Sequence, residues 1–119
     1  MTDEATITLY RPIGSDELRL IEASGYTAFP PRRPEQPIFY PVLKEEYAAQ
    51  IARDWNAKRN DDRRGYVTRF RVRAQFLIRY EVRTVGGGVH QELWVPAAEL
   101  ELFNQNIVGP IEVIAEFLS

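Results

Sequence analysis

Residues Gly65 to Val72 read GYVTRFRV, and this stretch decides the class of fold. Within it and just beyond, Phe70 and Val72 alternate with Arg69, Arg71 and Arg73. A two-residue repeat of apolar and charged side chains marks a strand with one buried face and one wet face. The alternation resumes over Phe76 to Val85, where Ile78, Tyr80 and Val82 interleave with Arg79, Glu81 and Arg83, so this stretch also reads as a strand. Gly86, Gly87 and Gly88 then make a flexible turn into Val89 to Val95, which predicts an antiparallel hairpin.

On the N-terminal side, Thr6 to Tyr10 (TITLY) is a first strand by its β-branched and aromatic content, broken by Pro12 and Gly14. Ser15 is the expected N-cap of a helix from about Ser15 to Ser24, with Asp16 and Glu17 placed to favour the positive end of the helix dipole. Gly25 supplies the left-handed residue that ends it. Pro30 to Pro37 (PPRRPEQP) is an extended loop crossing the domain, because proline lacks an amide donor and fixes φ. Ile38 to Val42 (IFYPV) is a short edge strand limited by Pro41. From Lys44 to about Arg59 a helix is expected, with Tyr47, Ile51 and Trp55 recurring every four residues as its apolar stripe and Ala48 and Ala52 beside them. Asn60, Asp61 and Asp62 end it.

On the C-terminal side, Pro96 starts a short helix through Phe103, Gly109-Pro110 makes a turn, and Ile111 to Phe117 is the last strand. That strand is expected to show Ile111, Val113, Ala115 and Phe117 on one face. The order is β-α-β-α-β-β-β-α-β. It describes an α+β fold, a split and mainly antiparallel sheet flanked by two or three helices, with residues 1–119 as one domain.

Composition bounds the chemistry. Hydrophobic residues at 45% and charged residues at 27% are ordinary globular values and argue against wholesale disorder. Without cysteine there is no disulfide framework, thiolate zinc site or cysteine nucleophile, and a reducing, cytoplasmic setting is the expectation. The acidic opening MTDEATITLY does not read as a signal peptide, and no apolar run has a membrane-spanning length, so no membrane partner is expected. Charge is uneven within a net −2: Glu92 to Ser119 carries glutamates and no basic residue, whereas Arg53 to Arg83 is rich in arginine. The acidic and basic segments are suited to pair, within one chain or between chains.

Three sets of residues are candidates for chemistry. In HQELWVPAAEL, strand alternation places His90, Glu92 and Trp94 on one face, setting a carboxylate between an imidazole and an indole. His90 is the lone histidine, so neither a metal site nor a Ser-His-Asp triad has an anchor. Arg69, Arg71, Arg73, Arg79 and Arg83 form a candidate anionic-ligand or nucleic-acid surface if their two strands are neighbours; the generic alternative is a solvated sheet face, favoured by the absence of interleaved aromatic residues. Gly86 to Gly88 are not a phosphate loop, since they join strands and no lysine follows.

With the elements in place, the chain resembles the ADP-ribosyltransferase superfamily in three motifs. Tyr10-Arg11 in TLYRPIG is similar to the arginine motif at the end of the first strand. Phe39-Tyr40, ahead of the helix EEYAAQIARDW, is similar to the second motif, although FYPV stands where other members carry Ser-Thr-Ser. Glu92-Leu93-Trp94-Val95-Pro96 is similar to the catalytic glutamate motif, with His90 where many arginine-targeting members carry Glu or Gln. The resemblance implies NAD as co-substrate, with no metal. Glu92 would stabilise the positive charge that develops on the ribose. Arg11 would hold the diphosphate by a charge-assisted fork, Tyr40 would stack on the nicotinamide, and His90 would border the same site. It implies that Arg11, Tyr40 and Glu92 converge on one cleft. A non-enzymatic protein-interaction domain of the same fold is the alternative, one that an exposed apolar patch at an edge strand would favour. Neither the acceptor nor the oligomeric state is named by the sequence.

Overall fold

The computed structural model of the chain describes residues 5–86, 88 and 90–119. In order, its elements are β1 (Thr6–Ile13), α1 (Ser15–Ala23), β2 (Ile38–Phe39), α2 (Glu45–Ile51), a π-helical stretch (Ala52–Asn56), α3 (Ala57–Arg59) and β3 (Arg64–Arg73). There follow α4 (Ala74–Leu77), β4 (Val82–Thr84), β5 (Gln91–Leu93), β6 (Val95–Pro96), a 3-10 turn (Ala97–Glu99), α5 (Leu100–Gln105) and β7 (Ile107–Leu118). The fold is α+β. A three-stranded sheet in the order β1-β3-β7 stands beside two smaller pairs, β2-β6 and β4-β5, and every pairing is antiparallel. The radius of gyration is 13.9 Å, close to the roughly 13.5 Å of a compact chain of this length.

β3 is the central strand, and its alternation works as expected. Phe70 and Val72 are buried, facing the same side as Leu9 and Ile13 of β1 and Ile111 of β7. That core is built on phenylalanines in tilted and edge-to-face contact: Phe29 lies 5.1 Å from Phe39 and 4.8 Å from Phe70 between ring centroids, and Phe103 lies 5.3 Å from Phe39. Such pairs add about 0.5–1.5 kcal/mol each beyond the area they bury. The opposite face of β3 presents Val67 to a second, smaller core containing Val42, Ala48 and Ala52 under α2.

The helix after Lys44 does not bury the expected stripe. Ala48, Ala52 and Ala57 are buried, whereas Trp55 is 56% exposed with Arg59 lying 3.8 Å from its ring centre. The buried positions are four and then five residues apart, because the backbone widens to π-helical geometry over Ala52–Asn56. A constant four-residue spacing therefore points at the wrong face. Alanine is needed there: a Cβ on Gly65 of β3 would lie 2.3 Å from the Ala52 carbonyl oxygen, so helix and strand meet backbone to backbone.

Other expectations change with tertiary context. β1 runs through Pro12 to Ile13, since the Tyr10 amide points away from β3 to the Val42 carbonyl at 2.9 Å and Pro12, two residues on, faces the same outer side. Its missing N–H costs the β1–β3 ladder nothing. Gly14, not Ser15, is the N-cap of α1, while the Ser15 hydroxyl donates to Asp62; Gly25, at φ 75°, ends the helix as expected. The segment after Phe39 keeps only a bridge at Val42 instead of a strand to that residue.

The largest departure is at Phe76 to Val85. It opens as the helical turn α4 and becomes strand only at β4, so Phe76 and Leu77 are buried while Ile78 is 83% exposed. The expected hairpin survives as β4 against β5, and Val95–Pro96 pairs separately with β2. Gly87 and Val89 of the intended turn lie outside the described residues. Pro96 ends β6, and the helix proper begins at Leu100. Gly109-Pro110 is a bulge inside β7, not a turn: the register with β3 shifts between Arg69 and Arg71, and Gly109 has φ 80°. The second shift, between Val67 and Thr68, redirects the following residues. Before that shift Ile111 is buried and Val113 is 40% exposed; from it onward Ile114, Ala115 and Phe117 pack on the smaller core.

The acidic C-terminal segment pairs with the arginine-rich one inside this chain. Arg64 meets Glu116 at 3.0 Å and Arg69 meets Glu112 at 3.3 Å across β3 and β7. Both are exposed pairs that solvent screens, so they add little to stability. Among the described residues, no helix is long and apolar enough to cross a membrane.

Candidate functional site

The loop after β2 laces β1 to β5. Tyr10 and Val42 exchange backbone hydrogen bonds of 2.9 and 2.8 Å, and Val42 in turn lies opposite Glu92, flanked by Leu43 N–H to Gln91 O at 3.0 Å and Leu93 N–H to Pro41 O at 2.9 Å. Residues directly opposite in an antiparallel pair share a face. Tyr10, Val42 and Glu92 therefore project to one side. Arg83 joins them, being Glu92's direct partner across β4 and β5.

Glu92 is held from two directions. The Trp94 indole Nε1 donates to Oε1 at 2.7 Å, and the Tyr47 hydroxyl of α2 donates to Oε2 at 3.3 Å. Burial first, then the charge and hydrogen bond of Glu92, push the Tyr47 hydroxyl above the ordinary tyrosine pKa, which keeps it a donor. His90 stacks on Tyr47 with ring centroids 4.5 Å apart. Its Nδ1 lies 3.1 Å from the Val85 carbonyl oxygen and its Nε2 lies 3.3 Å from Gln50 Oε1. The expected common face of His90, Glu92 and Trp94 is thus present.

Tyr40 belongs to this face too. Its ring meets Trp94 edge-on at 6.1 Å, and both rings are partly open, at 39% and 40% exposure. The Arg83 guanidinium also lies over Trp94, 4.2 Å from the indole centre. The result is a carboxylate between aromatic walls with a cation at one end.

Arg11 is placed elsewhere. It follows Tyr10 by one residue, so its side chain leaves the opposite face of β1, between buried Leu9 and Ile13. It is 8% exposed, forks onto Glu17 of α1 through Nε at 2.7 Å and Nη2 at 3.0 Å, and lies 4.6 Å above the Phe39 ring. Its remaining donor, Nη1, is 3.5 Å from the Tyr40 carbonyl oxygen. Tyr40 and Glu92 thus both neighbour Trp94, whereas Arg11 stands apart from them and ties α1 to the loop carrying Tyr40. Arg32 from the proline-rich loop adds a second guanidinium nearby. Burial and then the charge of Arg11 lower its pKa, while Glu17 and Tyr40 act in the opposite sense.

The arginine surface is divided. Because Phe76 to Val85 is not a neighbouring strand, Arg69 pairs with Glu112 and Arg71 packs over Gly109 beside β7. Arg73, Arg79 and Arg83 instead line a groove of about 1120 Å³ with Trp94, Tyr80 and Leu102. Aromatic rings, which the strand pattern failed to place among these arginines, are supplied by tertiary structure: Arg79 lies 4.3 Å from the Phe76 ring centre, as Arg83 does at 4.2 Å from Trp94.

Sequence reading missed Tyr47 as a partner of Glu92, having assigned it to a core stripe, and missed Arg83 as part of the site. Neither has a local signal, since one comes from α2 and the other from across a hairpin. In comparison with known proteins, no family model and no curated sequence matches this chain.

Proposed function

We propose that the chain is an NAD-binding, ADP-ribosyltransferase-like domain in which Glu92 acts at the nicotinamide ribose. The observation that carries the reading is the Glu92 carboxylate oriented by Trp94 and Tyr47 on a face that also bears the open rings of Tyr40 and Trp94. Cleavage of the bond between nicotinamide and ribose sends its electron pair to the leaving nicotinamide and develops positive charge on the sugar. A fixed carboxylate stabilises that charge, because its donors hold it in place before the bond breaks. Tyr40 supplies the stacking surface for nicotinamide, and His90 supports Tyr47 from behind. Water or an acceptor side chain then bonds to the ribose carbon that nicotinamide has left and releases its proton to solvent.

The test is calorimetric titration of NAD into wild type and Glu92→Ala, with nicotinamide release followed by chromatography. Saturable binding by both proteins, with release lost in Glu92→Ala, is the expected result. Absence of binding at millimolar NAD overturns the reading.

A second reading, a protein-interaction domain, is favoured by one observation. Ile78 is 83% exposed and Val82 is 47% exposed, beside the edge of β4 that no described strand pairs. An apolar patch next to an unpaired strand edge suits a docking partner.

A further inference from the structure

We infer that the groove beyond Trp94 is a diphosphate site, in which Arg83 and Arg79 hold the phosphates of the ligand whose ribose meets Glu92; this rests on the reading of Glu92 given above. Trp94 joins the two halves: its N–H donates to Glu92 and its ring lies under the Arg83 guanidinium. Although Arg83 sits directly opposite Glu92 in the β4–β5 register, it makes no ion pair with it among the described contacts, and its guanidinium carbon stands over the indole at 4.2 Å instead. The Arg79 guanidinium carbon stands over the Phe76 ring at 4.3 Å in the same way.

Among the described residues, neither guanidinium has a carboxylate or hydrogen-bond partner, and both side chains are exposed. A guanidinium carries five N–H donors in a planar fork that matches phosphate oxygens. Stacking on a ring fixes the plane of that fork while leaving its edges open. Of the two glutamates in the groove, Glu99 accepts the Tyr80 hydroxyl at 2.6 Å, so it is already engaged. At about 1120 Å³ the groove is slightly larger than common ligand-site volumes, roughly 300–1,000 Å³, and has room for a dinucleotide-sized ligand. Arg11 does not serve this role from where it stands, because it is forked onto Glu17 on the opposite face.

ADP carries the diphosphate without the nicotinamide ribose, so it probes the groove alone. Calorimetry with ADP is performed on wild type, Arg83→Gln, Arg79→Gln and Arg59→Gln, the last removing a ring-stacked arginine outside the groove. The expected result is ADP binding weakened about tenfold by each groove variant, consistent with loss of a charge-assisted hydrogen bond, and unchanged by Arg59→Gln. No ADP binding at millimolar concentration, or equal binding by all four proteins, overturns the inference. The Glu92 reading fails separately: ADP held by the two arginines with no nicotinamide released from NAD supports the groove and sinks the chemistry. Release at wild-type KM in Arg83→Gln and Arg79→Gln overturns the groove and leaves the chemistry standing. A twelve-nucleotide oligouridylate that binds a hundredfold more tightly than ADP and displaces it, with a steep loss in salt, overturns the dinucleotide assignment in favour of nucleic acid.

Discussion

Trp94 Nε1 donates to Glu92 Oε1 across 2.7 Å, joining two side chains that stand two residues apart on the same face. The bond fixes which way the carboxylate points, and the Tyr47 hydroxyl holds its second oxygen. Trp94→Phe keeps much of the ring surface and removes the donor. A hydrogen bond to a charged group contributes about 1.5–3 kcal/mol. Nicotinamide release is accordingly expected to fall by about 10- to 100-fold, with NAD binding less affected. Equal loss in KM alone would assign Trp94 to binding instead of orientation.

The Arg11–Glu17 fork is a structural tie, and its removal is expected to register as lost stability. Side-chain exposures of 10% and 20% leave the pair largely out of water. Truncating one partner strands the other charge, which costs about 3–5 kcal/mol for a fully buried pair. Glu17→Ala is expected near the lower end, because Glu17 keeps some solvent contact. The double variant Arg11→Met/Glu17→Leu is expected to recover most of the loss. Urea denaturation measures both, and a double variant less stable than either single one would contradict the tie.

Gly65 marks the closest approach of helix and sheet. A Cβ there would lie 2.3 Å from the Ala52 carbonyl oxygen and 2.9 Å from the Asn56 Cβ, and backbone cannot swing aside as a surface side chain does. Gly65→Ala is expected to destabilise by about 1–3 kcal/mol or more through overpacking. Gly88→Ala, with no described atom outside its own chain neighbours within 4 Å of the added methyl, is the neutral comparison. Thermal unfolding of the two variants separates these outcomes.

Stability is expected to decline in alkali. Burial, followed by the contacts with Glu92, raises the Tyr47 pKa; burial, followed by the hydrogen bond to Glu99, raises that of Tyr80. An unfolded tyrosine titrates near about 10. Each folded-state pKa lies above that, so the stabilisation is complete below about pH 10 and is lost as pH rises through the folded values. Phenolate absorbance at 295 nm is expected to show two late-ionising tyrosines released on unfolding. Tyr80→Phe is expected to shrink the pH dependence, and an unchanged urea midpoint between pH 9 and 11 in wild type would refute it.

Local pattern reached a good part of the fold. The alternation in GYVTRFRV placed Phe70 and Val72 inward, because strand side chains repeat every two residues whatever the rest of the chain does. Gly25 could end α1 and Pro41 could limit a strand because each acts through its own φ or its own missing amide. His90, Glu92 and Trp94 were legible as one face for the same reason.

What local pattern missed was decided by contacts distant in sequence. Ile78 looked like an inward strand residue, yet α4 turns the chain there and leaves it exposed, because the stretch has no neighbouring strand to extend its ladder. Trp55 looked buried until the π-helical widening moved the packed face onto Ala57. Gly109-Pro110 looked like a turn, but β3 continues past it and absorbs it as a bulge. The site shows the same division. Glu92 and Tyr40 stood out as residues, whereas the Tyr47 and Arg83 side chains that complete their surroundings arrive from a helix and from an opposing strand. Sequence by itself determined the α+β class, the buried face of β3 and the run of residues around Glu92, since each follows from backbone geometry over a few residues. Tertiary structure alone decided that Arg11 turns away to Glu17 and that Arg83 and Arg79 lie on aromatic rings, since one-residue parity and cross-strand register assign a side chain to a face only after the strands have paired.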